Sequence, residues 1–109
     1  MVDPEAVVAA EAHHPVVPPG KAFLRLLEEA VSIRPDYAPG LNRLAAAYGR
    51  LGFENQAVAT IHRAIELEPL DASHVATLGG LQLFQGFLAT AETTFRHALA
   101  LDAALPEAR

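Results

Sequence analysis

The sequence predicts an all-α protein, a solenoid of stacked helical hairpins, and three observations predict it. The first is composition. Apolar residues make up 51% of the 109 residues and aromatics only 6%, Ala is abundant, and Trp and Cys are absent. Close-packed helices suit that profile better than strands, which favour Val, Ile, Thr and aromatics. The second is an internal repeat of 34 residues. Pro35 and Pro69 each close a helical-looking stretch, AVSIRP and AIELEP. The third is that residues coinciding on a 34-residue shift recur three or four apart, as one face of a helix requires.

Each unit reads as two helices. The first runs from about Tyr37 to Leu51 and stops at Gly52. The second runs from about Glu54 to Glu68 and stops at Pro69. Asp36 is the expected N-cap of the first, with Pro39 tolerated in its opening turn. Asp71 takes that part in the next unit, one residue out of register. Gly52 and Gly86 suit a left-handed turn at a helix C-terminus. Shifting by 34 also pairs Leu44 with Leu78, Phe53 with Phe87, Ala57 with Ala91, Thr60 with Thr94, Ala64 with Ala98 and Leu67 with Leu101. The alanines are small where two helices must cross closely. Ile61 and Phe95 are bulky where the space between must be filled.

The first twenty residues differ. Asp3-Pro4-Glu5 is a strong helix start, and Ala6, Val7, Ala9 and Ala10 give a narrow apolar stripe that ends at His14-Pro15. PVVPPG at 15–20 is a stiff extended linker. The sequence therefore divides at 1–19, a short helix and proline-rich linker, and 20–109, the repeat domain. At the other end, Pro106-Glu107-Ala108-Arg109 reads as the opening of a further unit. That leaves the last helix with an uncovered apolar side at Leu99 and Phe95, through which the chain could self-associate.

Several function classes are excluded on chemical grounds. Without Cys there is no disulfide, thiolate metal site or cysteine nucleophile. A net charge of −5 disfavours nucleic acid as the main partner. No apolar run approaches a membrane span, and residues 1–20 carry no basic n-region, so a cytoplasmic protein is expected. Arg in place of Lys, with Lys21 the only lysine, suits a GC-rich bacterial gene. The two serines, Ser32 and Ser73, stand in no nucleophile motif, and the glycines lie in or at the ends of helices where no phosphate loop forms. No catalytic residue is expected. Among the histidines, adjacent His13 and His14 diverge on a helix. His62 and His97 are flanked by Arg63 and Arg96 and read as a solvated basic stripe, so neither a native metal nor another cofactor is expected.

The chain resembles the tetratricopeptide repeat (TPR) family. Leu41, Leu44, Ala45, Tyr48, Gly52, Ala57, Ile61, Ala64 and Pro69 match its pattern in the first unit. Val75, Leu78, Gly79, Gly86, Ala91, Phe95 and Ala98 match in the second. Gln82 stands where Tyr is usual, and Ala103 where Pro is usual. Leu27, Ala30 and Pro35 repeat the second-helix spacing upstream, with Phe23 in the place of a small Ala. The resemblance implies two full repeats at about 38–71 and 72–105, a partial upstream repeat and a short N-terminal helix. It implies a non-catalytic protein–protein interaction module, scaffold or assembly chaperone that holds a peptide segment of a partner in a concave groove. The first helices line that groove, so the partner-binding candidates are Asn42, Arg43, Ala46, Arg50, Ala76, Gly80, Leu83 and Phe84. Basic partners for a carboxylate clamp are absent at Ala76, Thr77 and Gly80. The rival readings are an oligomerisation element of a larger assembly and a regulatory fragment of a larger enzyme.

Overall fold

The computed structural model describes residues 4–5 and 20–103. Five helices follow Gly20: α1 Lys21–Ile33, α2 Ala38–Arg50, α3 Glu54–Leu67, α4 Ala72–Phe84 and α5 Leu88–Ala103. The most extensive packing lies within the hairpins α2–α3 and α4–α5. Helix α3 also touches α4, α1 touches α2, and α2 touches α4. First helix thus meets first helix, which is the contact that lines a groove.

Two turns repeat the same chemistry. Gly52 and Gly86 adopt φ of 87° and 89°, where a side chain would be strained. The Phe53 amide reaches back to the Tyr48 carbonyl at 2.8 Å, and that of Phe87 to Gln82 at 2.9 Å. Gly52 and Gly86 donate to Gly49 and Leu83 at 3.2 and 3.0 Å. These paired bonds satisfy carbonyls that each helix end would otherwise leave orphaned.

The helix starts differ from one another. Asp71 caps α4, accepting from the Ser73 amide at 2.9 Å and the Ser73 hydroxyl at 2.6 Å. Asp36, expected to cap α2, does not: Tyr37 is the N-cap and makes no side-chain cap bond. Asp36 lies one residue too early, since the counterpart of Asp71 on the 34-residue register is Tyr37.

The core runs along the repeat axis. Leu27, Leu41, Ala45, Ala57, Ile61 and Ala64 are almost wholly buried, and Val75, Ala91 and Ala98 continue the line. Ala57 and Ala64, with Ala91 and Ala98, are buried, as small residues at close helix crossings must be. Phe95 fills the space between α4 and α5, as its pairing with Ile61 leads one to expect, and this overturns its place on an uncovered side. It is not part of an uncovered outer side, because its ring lies against Gly79 of α4 and it is half-buried. Leu99 is exposed as expected.

At the N-terminus Pro4 is buried and Glu5 lies 3.6 Å from Arg34. The rest of the expected short helix, the linker at 15–19 and the segment 104–109 lie outside the described residues.

Candidate functional site

Helices α2 and α4 lie side by side and leave a cleft of about 260 Å³ between them. Ala46, Gly49 and Arg50 form one wall, and Thr77, Gly80, Leu81 and Phe84 the other. The wall residues of α4 recur at i, i+3, i+4 and i+7, a single stripe of the helix. Leu81 forms the floor by packing over Gly49, where a Cβ would come within 2.5 Å of its Cδ2. Phe84 stands at the rim, 72% exposed. A Cβ on Gly80 would meet nothing within 4 Å, so the space above it is open.

The cleft is apolar, with charge only at its edge. Helix α4 carries no acidic or basic residue other than His74, and α2 carries only Arg43 and Arg50. Both are cationic in a chain of net charge −5. The two helices therefore offer apolar contact flanked by positive charge, which complements an apolar side chain near an acid.

The structure gathers four of the eight candidates into this cleft: Ala46, Arg50, Gly80 and Phe84. Asn42 and Arg43 sit further along, at a second cleft of about 180 Å³ shared with Pro39, Asp71, Ser73, His74 and Thr77. Ala76 and Leu83 line neither cleft. Leu83 is exposed on another side of α4, and Ala76 is half-buried.

Asn42 departs furthest from expectation. It is buried, and its amide is engaged within the fold. Its Nδ2 lies 2.7 Å from His74 Nδ1, and its Oδ1 accepts from the Thr77 hydroxyl at 2.9 Å. The other His74 nitrogen, Nε2, lies 2.7 Å from Glu68 Oε1 and 3.8 Å from Asp71 Oδ2. With Asn42 donating to Nδ1, His74 carries its proton on Nε2 and donates to Glu68. This chain of bonds joins α2 to α4, so Asn42 ties one repeat to the next instead of facing outward.

Burial works against ionisation of Asp71, but the Ser73 hydroxyl and amide and the nearby His74 outweigh it. They hold the carboxyl below its ordinary value. Glu68, Asp71 and His74 bring three donor atoms within 4.8 Å of one another. The existing His74–Glu68 bond satisfies the buried ring without an ion.

Sequence reasoning missed His74, Thr77 and Leu81. Thr77 and Leu81 were available from the register, as the 34-residue counterparts of Arg43 and Ala47. His74 was not, because nothing local shows that a histidine will meet an asparagine 32 residues earlier. The basic stripe is exposed at His62, Arg63, Arg96 and His97. Arg63 donates to the Pro35 carbonyl at 3.1 Å, and Arg96 pairs with Glu92 at 2.7 Å. Both serine hydroxyls donate to oxygens nearby in the chain, Ser32 to the Glu29 carbonyl and Ser73 to Asp71.

No family model and no curated protein matches this chain. Solved structures do. Two structures of MamA align over 97% of this chain at 18% identity, with TM-scores of 0.78 and 0.76. They are covered over 62% and 58% of their own length. A Thermobaculum terrenum O-GlcNAc transferase mutant aligns over 90% of this chain at 26% identity and a TM-score of 0.76, covered over 19% of its length. The chain thus spans less than two thirds of each. The likeness shows the fold: 34-residue helical hairpins stacked with first helix against first helix, the TPR architecture.

Proposed function

From that fold, we propose that the chain is a non-catalytic protein-binding module. Its α2–α4 cleft holds a segment of a partner protein through one large apolar side chain beside an acid. TPR folds serve generally in protein–protein interaction, and the cleft supplies the specific support.

The observation that carries the reading is Gly80. A glycine inside a helix costs roughly 0.5–1 kcal/mol relative to alanine. At Gly49 and Gly79 the fold requires that loss, because a Cβ would run into Leu81 or Phe95. At Gly80 the fold itself requires nothing, since a Cβ there would meet only open space. The missing side chain keeps the cleft wide enough for a ligand backbone to approach α4. The α2 wall opposite is also small, at Ala46 and Gly49. No described helix is long and apolar enough to cross a membrane.

The test is capture from the source cell with wild type and Gly80→Leu. Leu is a good helix former and fills the cleft. A partner retained by wild type and lost with folded Gly80→Leu supports the reading. A partner retained equally by both removes the cleft from consideration.

A second reading has its own observation. Leu83, Phe87, Leu88 and Leu99 are all exposed on the α4–α5 hairpin, at the end of the described repeats. Self-association through this end would make the chain an oligomerisation element. Sedimentation of wild type against Leu99→Asp decides it: a dimer that dissociates in the variant supports that role, and a strict monomer at high micromolar concentration ends it.

A further inference from the structure

The two hairpins share one register, so each place in the second has a counterpart 34 residues earlier. In the first hairpin Tyr48 packs against the core. Its ring stands edge-on to Phe53, with centroids 6.1 Å apart and planes at 88°. Its hydroxyl donates to Glu28 Oε2 at 2.6 Å. The counterparts of Tyr48, Phe53 and Glu28 are Gln82, Phe87 and His62. Gln82 brings no ring, and its Oε1 accepts from the Thr94 hydroxyl at 2.6 Å, which ties the side chain to α5.

The counterparts of the residues around the Tyr48 ring come together at an open cavity. Gln82, Phe87 and His62 all line one cavity of about 410 Å³ between α3, α4 and the start of α5. Its size falls within the range of roughly 300–1,000 Å³ usual for ligand clefts. Leu78 gives it an apolar wall, and Gln85 replaces the half-buried Leu51 of the first hairpin with an amide. Phe87 is correspondingly more exposed than Phe53, 56% against 38%.

We propose that this cavity binds a phenol ring, the side chain of a tyrosine presented by a partner protein. The ring stands edge-on against Phe87 and sets its hydroxyl beside His62, as Tyr48 does against Phe53 and Glu28. Edge-to-face aromatic packing and a satisfied hydroxyl are the two things a buried tyrosine needs. A neutral imidazole can supply either a donor or an acceptor to that hydroxyl. The template is itself a side chain on a polypeptide, and the cavity is open to solvent, so the ring can arrive attached to a chain. The site uses a different face of α4 from the α2–α4 cleft and stands independently of it.

The probe is p-cresol, followed by amide chemical shifts of the full chain. Saturable shifts centred on His62, Gln82 and Phe87 are expected in wild type. They should be lost in Gln82→Tyr, whose own ring fills the space, and kept in Phe84→Ala. In Gln82→Tyr the Thr94 hydroxyl can turn its proton to the Thr90 carbonyl, 3.0 Å away, so that variant is expected to fold. Should it not fold, Phe87→Ala serves instead, because it removes the exposed ring wall and should weaken binding several-fold. Toluene should bind more weakly than p-cresol, and N-acetyl-L-tyrosinamide should displace p-cresol. Absence of saturable shifts, or equal binding by folded Gln82→Tyr, overturns the site. Equal binding of toluene overturns the hydroxyl contact, and exclusion of N-acetyl-L-tyrosinamide overturns the partner tyrosine.

Discussion

The ring of Phe95 in α5 lies directly against the Cα of Gly79 in α4, so a Cβ there would fall 2.9–3.1 Å from three ring atoms. One residue along the same helix, a Cβ on Gly80 would meet nothing. The two neighbours should therefore respond oppositely to alanine. Gly79→Ala overpacks the hairpin at a cost of about 1–3 kcal/mol, of which improved helix propensity returns only part. Gly80→Ala gains roughly 0.5–1 kcal/mol. Urea denaturation of the two variants checks the pair, and a loss at Gly80 would show that the fold does need that glycine.

Asn42→Ala leaves His74 Nδ1 buried without its amide partner. An unsatisfied buried polar group costs about 1–3 kcal/mol, and that loss is expected in denaturation. Thr77→Val should cost less, because the single Thr77 proton is shared between Asn42 Oδ1 and the Ser73 carbonyl and the hydroxyl sits nearer solvent. A negligible effect of Asn42→Ala would mean that the network does not tie the repeats together.

The Tyr48 phenol is pushed from 10.0 up to about 12, first by burial and then by the Glu28 hydrogen bond and charge. Its folded value lies above the unfolded one. Its contribution to stability is therefore complete below pH 10 and is lost as pH rises through about 12. In that window the unfolded chain gives up the proton first, so stability falls with rising pH. Denaturation at a series of alkaline pH values should show a steeper fall in wild type than in Tyr48→Phe. Equal slopes would assign the alkaline loss to other groups.

Phe84 and Arg50 border the same cleft but should differ in weight. A buried aromatic anchor is commonly worth about 2 kcal/mol or more at a hot spot. A rim charge is worth roughly 0.5–1 kcal/mol and fades in salt. Calorimetry with the captured partner should show Phe84→Ala weakening binding far more than Arg50→Ala, with both variants folded. Phe84 is largely exposed, so its truncation should leave stability nearly unchanged. Unfolding of Phe84→Ala would instead make it part of the core.

The sequence by itself determined the 34-residue register, the all-α class, the left-handed turns at Gly52 and Gly86 and the cap at Asp71. Each depends on the local chain: a φ that only glycine takes easily, a carboxylate two residues before an amide, an apolar stripe every third or fourth residue. Tertiary structure alone decided that Asn42 turns inward to His74, that Phe95 meets Gly79, and that Gln82 lines a cavity. Each of these pairs side chains from different helices, and the crossing of two helices sets which residues meet. Helix periodicity fixes a face to within a residue or so, and one residue is a turn of about 100°. That margin separates an Asn42 amide open to a ligand from one held by His74 and Thr77, so only the packed helices could settle it.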